Sequence, residues 1–301
     1  MTKPASGPVV EALFYGHYFY GLCAAAQVAE TTAQLALPQN WWLYCLSFVA
    51  TTLFYNYPYA RPWADATDPR VMWHVRHRRG WRWIQRATLI AVLVLVAWML
   101  WRHHDAIQHM SAVEWAALLV FPAAGALYYR VPLLSPRISL RRVGWLKPFV
   151  IGLVWSGLVV AYPILFARLQ YGVVVPLAVL PVMLFVKTLM FVAVLAILFD
   201  IKDHAADRRH GVGTIVTLVG LQATLFRVSI PLTVLGMATF VSYALMHELS
   251  AARTALVLAP FLLLVAGILS LQKPRTILYY LIVIDGLMLA KAFFDVLSMQ
   301  F

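Results

Sequence analysis

Negative charge is scarce in this chain: 12 aspartates and glutamates stand against 24 lysines and arginines in 301 residues, and charged residues of both signs make up only 12%. A soluble domain carries roughly twice that share, so a water-exposed globular surface is excluded. Cysteine is nearly absent. Cys23 and Cys45 show no metal-ligand spacing and fall inside apolar runs, so they are expected to be small core residues rather than ligands. No low-complexity tract, soluble domain or clear short-period repeat interrupts the sequence.

What the chain has in abundance is apolar residues, at 62%, with a mean hydropathy of +0.78. Soluble domains hold roughly 45–50%. Apolar runs of roughly 20 residues, the length that crosses a bilayer as a helix, fall at 14–37, 40–58, 82–101, 112–130, 147–167, 173–199, 226–246, 252–271 and 276–297. The runs are continuous and rich in Leu, Ala and Val, without the alternation of barrel strands. The expectation is an all-α integral membrane protein, a nine-transmembrane-helix bundle forming one membrane domain over residues 1–301. The first span lacks the features of a signal peptide and is expected to be retained.

The cations cluster in alternate loops. Arg61, Arg70, Arg76, Arg78 and Arg79 follow the second span, Arg137, Arg141 and Arg142 the fourth, Lys202, Arg208 and Arg209 the sixth, and Lys273 and Arg275 the eighth. The intervening loops hold few, Arg102, Arg168 and Arg253 among them. The positive-inside rule then places the N-terminus in the cytoplasm and the C-terminus outside. The expected location is multi-pass, in the bacterial inner (plasma) membrane. The net charge implies contact with membrane lipids or phosphate, and no nucleic acid.

The stretch FDIKDHAADRRHGVGT, residues 199–214, closes the sixth span with Asp200, Asp203 and Asp207. On a continuing helix these offsets fall within an arc of about 80°. Three clustered carboxylates repel unless a cation sits among them. Magnesium takes carboxylate oxygens and completes its shell with water and substrate phosphates, and Lys202, Arg208 and Arg209 follow as donors to phosphate oxygens. The alternative is a solvated acidic helix end neutralised by those same basic neighbours.

Position and spacing together resemble the second aspartate motif of the UbiA superfamily of intramembrane prenyltransferases. That motif follows the sixth of nine helices. The text DIKDHAADRRHGVGTIVTLVG is similar to branches in which DxxDxxxD leads to a basic residue, Gly and Thr, here Arg208, Gly211 and Thr214, and then a short segment ending at Gly220. The resemblance covers nearly the whole chain. It departs from the family at the first motif, NDxxDxxxD after the second span: Asn56 is present, but Tyr57, Ala60 and Ala64 occupy the aspartate positions. Asp65 and Asp68 follow and could reach the metal in a shifted register, or instead cap helices and pair with Arg61, Arg70 or Arg76. Pro58 and Pro62 disfavour a regular helix there.

The resemblance implies a magnesium-dependent transferase. Asp200, Asp203 and Asp207 would hold Mg2+; Asn56, Asp65 and Asp68 would complete the catalytic site. Arg61, Lys202, Arg208 and Lys147 would bind the diphosphate of an isoprenyl diphosphate. Departure of that group leaves an allylic cation, which transfers to a lipophilic acceptor such as a quinone precursor, a tetrapyrrole or a glycerol lipid. Tyr55, Tyr57, Tyr59 and Trp63 could face the cation or anchor the interface. Two other readings stay open: an enzyme of the same fold that works without an acceptor, as terpene cyclases do, and a non-catalytic protein binding a lipid, quinone or pigment.

Ionisable residues within the spans carry a further expectation, because they are costly in a bilayer. Lys291 and Asp295 are spaced as an i,i+4 pair. Lys187 and Arg227 could face Asp285 across the bundle, as a structural pair or as contacts to a ligand. His17 and Glu30 on the first span could line a cavity or bond between helices.

Overall fold

The computed structural model describes residues 7–60, 68–129, 143–176, 178–209 and 211–301. Among them every regular element is helical. In chain order these are α1 Pro8–Tyr15, α2 Tyr18–Gln34, α3 Trp41–Asn56, α4 Pro69–Arg76, α5 Arg78–Arg102, α6 His104–Gln108 and α7 Ala112–Tyr129. There follow α8 Lys147–Tyr171, α9 Val179–Arg209, α10 Ile215–Val219, α11 Leu221–Met246, α12 Ala251–Ser270 and α13 Ile277–Gln300. Six of these, α5, α8, α9, α11, α12 and α13, are long and apolar enough to cross a membrane.

The expected first, second and fourth spans correspond to α2, α3 and α7, of 17, 16 and 18 residues. The first span is broken at Gly16 and His17, where His17 takes a left-handed conformation at φ 59° that ends α1 and starts α2. The sixth span begins six residues later than expected, at Val179, because Gly172 closes α8 at φ 68° and residues 173–176 run outside any helix up to Pro176.

Local chemistry sets the other ends. Asn40 caps α3 by accepting from Trp42 N–H at 3.0 Å, and Ser250 and Thr276 cap α12 and α13 in the same way. Asp68 caps α4 by accepting from Arg70 N–H at 2.8 Å, with Pro69 at the first helical position.

The core lies where α2, α8, α9, α12 and α13 meet, around Cys23, Val28, Val194, Leu198, Leu264, Ile268 and Ile284. Close approach depends on small residues: a Cβ added at Gly152 of α8 would lie 2.5 Å from the Leu189 carbonyl oxygen of α9. Cys23 is in this core as expected, whereas Cys45 is exposed on α3, since an outer face that meets lipid is as apolar as the interior.

The expected pair of Lys291 and Asp295 is present, within a larger set of buried charges. Lys291 bonds Glu30 and lies 3.5 Å from Asp295, while Lys187 donates to Asp295 at 2.6 Å. Lys187 therefore does not face Asp285, which accepts from the Tyr20 hydroxyl, and Arg227 is exposed. Two lysines and two carboxylates thus neutralise one another in one buried cluster.

Candidate functional site

The lower half of α9 carries the acidic motif as a continuous helix, so its residues share a face as the spacing predicts. Asp200 is 2% exposed. One of its oxygens accepts from the Lys147 ammonium at the start of α8; the other, Oδ2, is buried without a hydrogen-bond partner. One turn on, Asp203 pairs with Lys202, whose ammonium sits 5.1 Å from the Phe199 ring centre.

The helix α4 docks against this end. Arg70 forks onto Asp68, with Nε at 3.1 and 3.2 Å from the two oxygens and a terminal nitrogen 2.6 Å from Oδ2, and its guanidinium lies 6.0 Å from the Phe199 ring centre. Burial would raise the Asp68 carboxyl, but the hydrogen bonds and charge of Arg70 outweigh it and hold it below its ordinary value. Burial likewise opposes the Arg70 charge, yet Tyr59 and Asp68 keep the guanidinium protonated more firmly than usual.

A cavity of about 950 Å³ opens here. Asp68, Arg70, Lys147, Asp200, Asp203 and Asp207 all line it. Its remaining wall is aromatic and aliphatic, including Phe54, Tyr55, Phe121, Trp155 and Leu195, with His17, Tyr20 and Asp285 as further polar groups. A charged rim and an apolar interior suit an amphiphile with a charged head.

Of the other expected site residues, Asn56 is 1% exposed and lies off the cavity wall. It accepts from His17 Nδ1–H at 3.0 Å and donates to the Gly16 carbonyl at 2.9 Å, so it holds the break between α1 and α2 in place. Lys202 reaches the site through Asp203, and Arg208 is exposed off the wall. Arg61, Trp63 and Asp65 lie outside the described residues, as do Arg137, Arg141 and Arg142 of the following basic loop. Arg70 is the site residue that the sequence reading leaves among the loop cations and as a partner for Asp65 or Asp68. Its place two residues after a capping aspartate, across a proline, is the signal that points to it.

Among the described residues no three His, Cys, Asp or Glu side chains stand close enough to hold one metal ion. The donor chemistry nonetheless fits magnesium, which is commonly bound by one or two carboxylates plus water and phosphate oxygens. The unpartnered Asp200 Oδ2 is an available ligand atom of that kind.

These features define a multi-pass membrane protein, helical throughout its described residues, with an apolar cavity and a charged mouth. No protein-family model matches the chain, and no curated protein matches it. A solved structure, from work on structural and mechanistic insights into the biosynthesis of digeranylgeranylglyceryl phosphate synthase in membranes, is similar with a TM-score of 0.56. The likeness covers 97% of this chain and 99% of that one at 12% identity, and shows that the two share a fold.

Proposed function

We propose that the chain is an intramembrane prenyltransferase that moves a prenyl group from an isoprenyl diphosphate to a lipophilic acceptor, in a bundle of nine spans with a cytoplasmic N-terminus. The observation that carries this reading is the single cavity that joins Asp68, Arg70, Lys147, Asp200, Asp203 and Asp207 at one end to an aromatic interior. The shared fold with a protein named as a digeranylgeranylglyceryl phosphate synthase supports it.

Asp200 with Asp203 or Asp207 would hold Mg2+, one or two carboxylates sufficing beside water and phosphate oxygens, and the ion when bound would neutralise diphosphate oxygens. Lys147 and Arg70 supply donors to the same oxygens. Lys147 exchanges its bond to Asp200 for one to the leaving group. Asp68 orients Arg70 through its forked hydrogen bonds, which serves for the missing first motif. The C1–O bond of the donor breaks with its electron pair going to diphosphate, and the apolar wall keeps water from the allylic cation.

Purified protein in detergent, given geranyl, farnesyl or geranylgeranyl diphosphate, should release pyrophosphate only with magnesium, and Asp203→Ala should abolish the release without unfolding. No release from any donor, with or without acceptors, sinks the reading. The lysine pairs at Asp200 and Asp203 favour a second reading, a non-catalytic lipid, quinone or pigment carrier, because they neutralise the mouth without metal. That reading requires a co-purifying ligand whose occupancy survives Asp200→Ala.

A further inference from the structure

The cavity contains a fifth aspartate, beyond the four at its charged end, that the diphosphate chemistry does not use. Asp285 is 4% exposed, on α13. Its N–H bonds the Tyr280 carbonyl five residues back at 2.9 Å, closing the π-turn Tyr280–Ile284. Such turns inside helices are frequent at functional sites. Its Oδ2 accepts the Tyr20 hydroxyl of α2 at 2.5 Å.

The surroundings distinguish Asp285 from the other buried acids. Glu30 and Asp295 are each bonded to a lysine, whereas among the described residues Asp285 forms no ion pair. The cations that act on it, Arg70 and Lys202, do so without a hydrogen bond. A carboxyl kept at membrane depth without a paired cation is costly and marks function. The groups around it are aromatic: the Tyr20 ring stacks on Tyr55 at 4.3 Å and 9°, and Trp155 donates to the Tyr55 hydroxyl at 2.9 Å. Tyr20, Tyr55, Trp155 and Asp285 all line the cavity that Asp200 lines.

We infer that Asp285, acting through the Tyr20 hydroxyl, is the base that takes the acceptor's proton, and that the acceptor is an apolar molecule presenting a neutral hydroxyl. This rests on the prenyl-transfer reading. A hydroxyl can donate to the Tyr20 oxygen while Tyr20 donates to Asp285. A carboxylate or phosphate placed there would face Asp285 with no cation bonded between them. The C1–O bond to diphosphate breaks with its electron pair leaving on diphosphate, and the acceptor oxygen then forms its bond to C1 of the allylic cation. The acceptor's proton moves to Tyr20, and the Tyr20 proton moves to Asp285. The products are a prenyl ether, diphosphate and a protonated Asp285 that returns its proton to water. Asp285 and Tyr20 are in this sense catalytic residues distinct from the diphosphate site.

The test uses the full chain in detergent with magnesium and farnesyl diphosphate, plus either a long-chain alkylphenol or a diacylglycerol, and measures pyrophosphate and prenyl ether separately. Asp285→Asn should lower ether formation about 100-fold or more, while pyrophosphate release, now ending in farnesol, falls far less. Asp285→Glu should recover part of the ether, and Tyr20→Phe should lose about 10-fold of it with the same split. Ether formation unchanged in Asp285→Asn overturns the inference, and so does parallel loss of ether and pyrophosphate in a folded variant. If Asp285→Asn does not fold, Tyr20→Phe decides, and equal loss of both products there overturns it. Pyrophosphate release by the wild type without ether from either acceptor also overturns it. A wild type that releases no pyrophosphate defeats the prenyl-transfer reading itself, and the inference with it.

Discussion

The Lys291 ammonium of α13 bonds both carboxylate oxygens of Glu30 on α2, at 2.6 and 2.8 Å, and joins the two ends of the chain inside the bundle. Both side chains are almost fully buried, so neither can turn to water if its partner is removed. Lys291→Met should therefore destabilise the protein by about 3–5 kcal/mol, the range for stranding a buried charge. Combining it with Glu30→Gln should recover much of the loss, since Lys187 and Asp295 remain paired. Thermal melts in detergent for the singles and the double give the answer. Strict additivity would show that the two residues do not interact.

How much of this could be read beforehand follows the range of each interaction. The arc of Asp200, Asp203 and Asp207 needs only helical spacing, and Lys291 with Asp295 needs only an offset of four, so both were legible. The partners Glu30 for Lys291 and Tyr20 for Asp285 lie 261 and 265 residues away along the chain, and periodicity carries no information about such pairs. The break at His17 was hidden for another reason. A single left-handed histidine does not interrupt the apolar run, and it is held by Asn56 from the next helix. Asp68 was weighed both as a helix cap with Arg70 and as a site group, and its backbone bond to Arg70 coexists with its place on the cavity wall.

The Lys147 bond to Asp200 predicts a binding defect. If Lys147 moves from Asp200 to the diphosphate, Lys147→Met removes one charge-assisted hydrogen bond, about 1.5–3 kcal/mol. KM for the prenyl diphosphate should rise about 10- to 100-fold, with a smaller change in kcat. Steady-state pyrophosphate release checks it. An unchanged KM would mean that Lys147 only neutralises Asp200.

His74 on α4 gives the fold a dependence on acid. It is buried against His17, with ring centres 5.8 Å apart. Burial lowers its pKa from 6.5 to about 4, so the fold favours the neutral ring. That contribution is fully present above pH 6.5, where the ring is neutral folded or unfolded, and is lost as pH falls from 6.5 through 4. The loss is on the order of 3 kcal/mol. The melting temperature should fall between those limits, and His74→Gln should flatten the fall. An equally steep fall in the variant would place the acid sensitivity in other groups.

The contact between α8 and α9 links stability to the site. Gly152 of α8 packs directly on the Leu189 backbone of α9, and a Cβ there would also lie 3.4 Å from Ala193. A carbonyl oxygen in a helix cannot rotate away as a side chain can, so Gly152→Ala must push the helices apart. These two helices carry Lys147 and Asp200. The variant should lose about 1–3 kcal/mol of stability, the usual cost of overpacking, and its KM for the prenyl diphosphate should rise because the charged mouth widens. Gly80 on α5 provides the contrast: a Cβ there meets nothing within 4 Å, so Gly80→Ala should hold or raise the melting temperature by the gain in helix propensity. Melting curves and KM for the pair test the argument together. A Gly152→Ala protein with normal KM and lowered stability would show that the site tolerates the movement. One with wild-type values for both would show that the helices are not in contact at that point.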